Sequence, residues 1–252
     1  MRLHFSASSH DVARERFNQL VDLYGQHDIA DADCIVALGG DGHMLHVLHE
    51  TVAHGKPVFG LNCGRLGFLM NHFASDELIG RIKNAETAPI HPLRMEAVTA
   101  DGTQPPALAI NEVSLLRQTH NAAHIKVEVD GKHQVEELVC DGILLATPVG
   151  STAYNLSAHG PVVPLGAGLL ALTPISPFRP RRWHGALLGE SAKVTLEVLE
   201  PEFRPVSASA DSAEYRHIRT VSIEQADDIT LRLLYDQGHS LADRAIAEQF
   251  LS

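Results

Sequence analysis

The feature that most constrains this chain is a four-residue turn, Gly39-Gly40-Asp41-Gly42, at the point where the apolar run Cys34-Ile35-Val36-Ala37-Leu38 stops and a helix-like stretch begins. The pattern reads as a strand, a backbone-exposing turn and a carboxylate at its tip. Its glycines are expected to permit positive φ and to let a ligand approach the peptide N–H groups with no Cβ in the way. Asp41 then stands at a strand end, where open α/β sheets place their ligands. The arrangement suits a phosphate neighbour and a catalytic carboxylate. The plainer alternative is a strand-to-helix turn in which Asp41 only caps the helix.

Upstream and downstream of that turn, short apolar runs alternate with amphipathic ones. A strand is predicted at Leu3–Ser6 and a helix at about Asp11–Tyr24, with Val12, Phe17, Leu20 and Val21 on one side and Gly25 as its stop. A second helix is predicted over His43–His54 and a parallel strand over Val58–Leu61. This βα alternation makes residues 1–90 a Rossmann-like α/β domain. After Pro89 the texture changes to short alternating segments separated by turns such as Asp101-Gly102 and Asp130-Gly131. Strands are predicted at Arg94–Ala100, Ala107–Leu116, His124–Val129, Glu137–Cys140, Ile143–Ala146, Lys193–Leu199, Thr220–Gln225 and Asp228–Tyr235. Together they make residues 91–240 an antiparallel, sandwich-like β domain. A closing helix over Leu241–Phe250, within 241–252, is expected to pack back on the first domain.

A chain of 252 residues can bury two modest cores. Its 20 Lys+Arg against 31 Asp+Glu give a net charge of −11, which argues against a nucleic-acid partner, since a general binder needs a basic face for phosphates. No apolar run approaches the length of about 20 residues that spans a bilayer, so no membrane partner is expected. Cys34, Cys63 and Cys140 show no C-x-x-C spacing and read as thiols of a reducing cytoplasm. His43, His46 and His49 are spaced by threes, which fans their side chains apart on a helix and disfavours a shared metal ion.

Three more stretches carry chemistry. Asn62-Cys63-Gly64-Arg65-Leu66-Gly67-Phe68-Leu69 is a second glycine turn after a strand, able to line the same crevice as Asp41 or simply to bury Phe68. Asn111-Glu112 puts an amide and a carboxylate at the start of a buried-looking strand, where such a pair can bracket a ribose or an amide group. Cys140-Asp141-Gly142, followed by Thr147-Pro148-Val149-Gly150-Ser151-Thr152-Ala153-Tyr154-Asn155-Leu156-Ser157, is dense in hydroxyls and small residues, as a nucleoside and its phosphates require. Ser151 or Thr152 is the expected N-cap.

Taken in this order, these motifs, with Leu172-Thr173-Pro174-Ile175 and Ala210-Asp211-Ser212, resemble the NAD kinase family over nearly the whole chain. The resemblance implies an N-terminal Rossmann-like domain, a β-rich C-terminal domain, and transfer of the γ-phosphate of ATP or of polyphosphate to the 2′-hydroxyl of the adenosine ribose of NAD. It implies Asp41 as general base and Gly39, Gly40 and Gly42 as phosphate contacts. NAD would be bound by Asp41 and Gly42, by Phe68 flanking the adenine, by Asn111 and Glu112 on a ribose, and by Asp141 at the nicotinamide end. Val149, Thr152, Ala153, Tyr154, Asn155, Leu156 and Ser157 would line the adenine and its ribose. Mg²⁺, held mainly by the donor phosphates, and a cytoplasmic homodimer or homotetramer complete the implication. Two residues depart from the family pattern: Val149 stands where a hydroxyl is usual, and Ala213 where some relatives carry a polar contact. A lipid or other small-molecule kinase sharing the glycine turn, and a non-catalytic NAD(P) sensor, are the competing functions.

Overall fold

The computed structural model of the protein describes residues 1–64 and 67–238. The chain divides into two compact units, one formed by Met1–Ile90 with the chain from Asp228 onward, the other by His91–Asp227.

The first unit is built on a five-stranded sheet whose spatial order is Leu3–Ala7, Cys34–Gly39, Val58–Asn62, Leu231–Tyr235 and Glu86–Ile90. The first four strands run parallel and the last pairs antiparallel with Leu231–Tyr235. Every residue of Cys34–Gly39 and Val58–Asn62 is buried, as the continuous apolar runs of a doubly covered parallel sheet require. Alternate residues Cys34, Val36 and Leu38 join Phe5, Phe59 and Leu61 in a core with Leu20 of the Asp11–Tyr24 helix and Leu78 and Ile82 of a short Leu78–Lys83 helix. The Asp41–Thr51 helix packs beside the two central strands, and Gly60 is needed beneath it: a Cβ there would stand 2.2 Å from Met44 Cε and 2.7 Å from Met70 Sδ. Pro89 lies in the Glu86–Ile90 strand at the sheet's edge, where a missing N–H is tolerated.

Two corrections concern this unit. The run at Asp228–Tyr235, read as part of the β domain, supplies the Leu231–Tyr235 strand of the parallel sheet instead. The second helix begins at Asp41 rather than His43. The predicted helix at Leu241–Phe250 lies outside the described residues.

The second unit packs two antiparallel sheets over one core. One sheet contains Lys132–Cys140, Ala123–Val129, Val194–Val198, Ile218–Gln225, Leu93–Thr99 and Gly102–Thr103, with Ala107–Ala109 also paired to Leu93–Thr99. The other runs Ala186–Gly189, Leu169–Ile175, Gly142–Ala146, Glu112–Arg117, Val206–Ala210 and Ala213–Tyr215. Period-two alternation turns Met95, Ile125, Val127, Leu196, Val221 and Ile223 of the first inward against Val113, Leu115, Ile143, Leu145, Leu172 and Ala208 of the second. The outer face of the second sheet is covered in turn, where Leu144, Ala146 and Ala171 meet Val163, Tyr154 and Ala158. The strand expected over Ala107–Leu116 is in fact two: Ala107–Ala109 pairs in the first sheet and Glu112–Arg117 in the second, so the chain changes sheet at Ile110-Asn111. That crossing positions one of the predicted site motifs.

Candidate functional site

In the first unit the strands Leu3–Ala7, Cys34–Gly39 and Val58–Asn62 end together, and their carboxyl ends open into a cleft of about 480 Å³ lined by Ser8, His10, Asp11, Val12, Gly39, Gly40, Cys63 and Gly64. The glycine turn forms one wall. Gly40 is the extended residue before the helix, at φ −119°, and Asp41 is the first helical residue. None of Gly39, Gly40 and Gly42 has positive φ, so the conformational reason expected for them does not hold. Their use is access. At Gly40 and Gly42 a Cβ would meet no described atom within 4 Å, which leaves the start of the helix approachable, where the Asp41 and Gly42 N–H groups precede the first turn bond, from the His43 N–H to the Gly40 carbonyl at 3.0 Å. Gly39 is different: a Cβ there would come within 2.9 Å of the His43 Cβ, so this position is fixed by packing.

The Asp41 carboxylate is held on both oxygens. The Phe68 N–H donates to Oδ2 at 2.7 Å and the Leu69 N–H to Oδ1 at 2.9 Å, so the two glycine motifs of this unit meet at Asp41. Gly67 makes the approach possible, because a Cβ there would lie 2.2 Å from Asp41 Oδ1. The preceding turn is pinned by Asn62, whose amide donates to the Gly64 carbonyl and accepts from the Gly64 N–H, and by Arg16, which donates to the Asn62 carbonyl at 2.6 Å. Burial lowers the His43 imidazole below its ordinary range, and its Nε2 lies 3.3 Å from Ser6 Oγ.

The second unit gathers the remaining predicted residues around the sheet crossing. The Asn111 carbonyl accepts the Thr147 N–H at 2.9 Å, and the Ile110 carbonyl accepts the Thr147 hydroxyl at 2.7 Å. The same hydroxyl oxygen accepts the Gly150 N–H at 3.1 Å. Gly150 passes so close over Asn111 that a Cβ would sit 2.1 Å from its carbonyl oxygen, which explains the glycine of the hydroxyl-rich motif. The Asp211 carboxylate accepts from the N–H groups of Ile110, Asn111 and Glu112. Burial, and secondarily the Asp211 charge, push the Glu112 carboxyl up to about 7, and its Oε2 is buried with no hydrogen-bond partner among the described residues. Tyr154 is raised by its own burial and then by the charges of Glu112 and Asp141, which brings those three groups into one neighbourhood. Asp141 pairs with the Arg117 guanidinium at 2.6 Å.

Not every predicted residue faces the ligand side. Asn155 is fully buried and its amide is occupied: Nδ2 donates to the Ser151 and Pro161 carbonyls, and Oδ1 accepts the Thr173 hydroxyl at 2.6 Å. Its role in this arrangement is to shape the loop. Val149 is buried as well, whereas Thr152, Ala153 and Tyr154 are half-buried and Leu156 and Ser157 exposed. The predicted N-caps are absent as such. Ser151 Oγ instead ties the loop together, donating to the Pro148 carbonyl and accepting the Val163 N–H. Sequence reasoning assigned no role to Thr147, Gly67 or Arg117. For Thr147 and Gly67 the only signal was membership of a motif, and for Arg117 there was none, because their partners lie 37, 26 and 24 positions away in the chain.

Among the described residues no cluster of three or more His, Cys, Asp or Glu side chains is arranged to hold a metal ion. Asp41 puts a single carboxylate on the first helical turn, which would suit a cation carried largely by phosphate oxygens and water, as Mg²⁺ commonly is. No helix among the described residues is long and apolar enough to cross a membrane.

Comparison with known proteins agrees with both halves of this geometry. The family model for the ATP-NAD kinase N-terminal domain matches residues 2–84, and that for the ATP-NAD kinase C-terminal domain matches residues 110–214. The NAD kinase of Hyphomonas neptunium is 55% identical over 250 residues, covering 99% of this chain and 98% of its own. That of Caulobacter vibrioides is 55% identical over 249 residues, covering 99% and 96%. Among solved structures, yeast NADH kinase complexed with NADH superposes with a TM-score of 0.84 at 19% identity, over 99% of this chain and 87% of that one. An NAD kinase from Archaeoglobus fulgidus in complex with ATP gives 0.76 at 23% identity, over 98% of each chain. The structural likeness carries the fold, a Rossmann-like α/β unit with an antiparallel β-rich unit, and the sequence likeness carries the descent: this chain belongs to the NAD kinase family.

Proposed function

We propose that this chain transfers the γ-phosphate of ATP, or a phosphoryl group of polyphosphate, to the 2′-hydroxyl of the adenosine ribose of NAD, giving NADP. The observation that carries the reading is Asp41: a carboxylate held by two backbone N–H groups at the mouth of a glycine-lined cleft, on the first residue of a helix whose leading N–H groups are open. The donor phosphates would lie along Gly39, Gly40 and Gly42, against the positive end of that helix. Asp41 would accept the proton of the attacking hydroxyl as general base. Mg²⁺ would be held mainly by the donor phosphates and would offset their charge as the phosphoryl group moves. The protein's own share is then to align acceptor with donor, and alignment supplies much of the rate in phosphoryl transfer.

NAD would be held by Gly42 and Phe68 with Asp41 in the first unit, and in the second by Asn111, Glu112, Asp141, Val149, Thr152, Ala153, Tyr154, Leu156 and Ser157. Asn155 would support these from behind. In the second unit, Glu112 and Tyr154 supply hydrogen-bonding groups beside the exposed 156–157 segment, as ribose and base edges require. A cytoplasmic homodimer or homotetramer is part of the same proposal, and light scattering on the active enzyme would refute it by returning a monomer mass. The decisive experiment is NADP formation from NAD, ATP and Mg²⁺ by the purified protein beside Asp41→Asn. A general base contributes roughly 10² to 10⁴ in rate, so the variant should lose at least the lower figure. An unimpaired variant would remove Asp41 from the chemistry, and a parent that binds NAD without phosphorylating it would make the chain a sensor.

A further inference from the structure

Where the chain crosses between the two sheets, three consecutive N–H groups converge on one carboxylate. Ile110 donates to Asp211 Oδ2 at 2.7 Å, Asn111 to Oδ1 at 3.0 Å, and Glu112 to Oδ1 at 3.4 Å. Asp211 lies in the two-residue turn between Val206–Ala210 and Ala213–Tyr215, at φ +47°, a left-handed conformation that Asp tolerates better than most non-glycine residues and that such hairpin turns use. Its own N–H returns a bond to the Glu112 carbonyl at 3.2 Å. The carbonyls of Ile110 and Asn111 are taken from the other side by Thr147. A segment that has left one ladder and not yet joined the next has backbone groups to satisfy, and Asp211 satisfies the donors together. As an ionised acceptor it holds each of them more strongly than a neutral group would.

We propose that Asp211 is the positioning residue of the dinucleotide site: its carboxylate fixes the backbone from which Asn111 and Glu112 present their side chains, and it sets a negative charge beside Glu112. The inference rests on the reading of Asn111 and Glu112 as NAD contacts. Asp211 from the turn and Tyr154 from the Tyr154–Ser157 helix interact with Glu112, and Asp141, whose charge also acts on Tyr154, is paired with the Arg117 guanidinium of the Glu112 strand. Burial and the Asp211 charge act on Glu112 in the same direction, burial the more strongly. Near neutral pH Glu112 exchanges between a protonated form that can donate to a ribose oxygen and an ionised form that can only accept. Asp211 fixes where that side chain stands and adds its charge to the burial that favours the protonated form.

The test uses the full chain, with carboxyl-labelled glutamate to follow the Glu112 titration by NMR in the free protein, and calorimetry with NAD on either side of neutral pH. Asp211→Asn keeps the shape, removes the charge and turns an NH₂ toward at least one of the three N–H groups. It should lower the Glu112 titration toward that of an ordinary glutamate and weaken NAD binding about tenfold, the scale of an unsatisfied buried donor. Asp211→Glu, which restores charge without the geometry, should recover part of the Glu112 titration and little of the affinity. A folded Asp211→Asn protein with both readouts unchanged overturns the inference. So does a parent in which Glu112 titrates as an exposed glutamate, a result that needs no variant. Failure of the parent to bind NAD at any pH would instead overturn the dinucleotide reading on which this inference rests.

Discussion

Gly67→Ala is the sharpest test of how Asp41 is held, because it adds one methyl group at a point defined to a fraction of an ångström. The new Cβ would stand 2.2 Å from Asp41 Oδ1, 2.7 Å from Cγ and 2.9 Å from Oδ2. Ordinary carbon–oxygen contact requires roughly 3.4 Å, so the carboxylate or the 67–69 backbone must give by about 1 Å. Asp41 cannot take up that shift alone, since its side chain is short, its backbone begins a helix, and both oxygens are already committed to the Phe68 and Leu69 N–H groups. A hydrogen bond to a charged group is worth about 1.5–3 kcal/mol, and loss of one should appear as a fall in unfolding free energy of that size. The kinetic effect should be of similar size in free energy, about 2.7 kcal/mol for a hundredfold change. Misplacement of a reacting group by about 1 Å costs on the order of 10² in rate. The assay is steady-state NADP formation with urea unfolding as control. A fall in kcat of about hundredfold, with the protein still folded at the assay temperature, is the expected result. Full kcat in Gly67→Ala would refute the argument, showing that the carboxylate need not occupy its observed position for turnover.

Gly40→Ala and Gly42→Ala should behave in the opposite sense. Their Cβ atoms meet nothing in the free protein, so stability should hold, with Gly42→Ala gaining up to about 1 kcal/mol of helix propensity, while the KM for the phosphoryl donor rises. Gly150→Ala drives a Cβ to 2.1 Å from the Asn111 carbonyl oxygen, backbone against backbone, and should cost about 3 kcal/mol or prevent folding, read by urea unfolding and soluble yield. Glu112 should give stability a pH dependence of definite sign. Its carboxyl is raised from 4.5 to about 7, so the folded protein holds the proton more tightly than the unfolded chain does. That contribution is fully present below the unfolded value and is lost as the pH rises through the folded one. The loss should amount to at most about 3 kcal/mol. Glu112→Gln should flatten unfolding free energy across this window, and an unchanged slope would contradict the buried environment described for Glu112.

How much of this could be read from the sequence depended on whether a residue's partner was local. The Asp11–Tyr24 helix is found where Phe17, Leu20 and Val21 predicted it, because helical periodicity and the Gly25 stop are contained within the segment itself. The glycine turn was legible as a strand-to-helix junction for the same reason, and of the two rationales expected for its glycines, approach to the N–H groups accounts for Gly40 and Gly42 and positive φ does not. The change of sheet at Ile110-Asn111 was hidden, since Ala107, Ala109, Val113 and Leu115 keep the same parity toward the core on either side of it while the pairing partners change. Asn155 looked like a ligand because an amide beside Tyr154 can be one. The bonds that occupy it come from Ser151, Pro161 and Thr173, and only the folded loop brings all three to one side chain. Asp211 gave no local sign of its role, its three donors lying about a hundred positions upstream.

The Leu231–Tyr235 strand lies between Val58–Asn62 and Glu86–Ile90, so the sheet beneath the glycine turn receives an inner member only after the whole of the second unit has been synthesised. A ribosome-bound chain of the first ninety residues has the Asp41 turn but leaves one flank of Val58–Asn62 and the facing flank of Glu86–Ile90 without partners. Asn71 marks the same dependence, since its amide donates to the Leu234 carbonyl and its oxygen accepts the Asp236 N–H. The Asp41 turn is among the first parts of the protein to be made, and the sheet beneath it is among the last to be completed. Premature termination anywhere in the β-rich unit would therefore yield a product with an unfinished sheet beneath the Asp41 turn and two adhesive strand edges, a species for proteolysis rather than a partial enzyme.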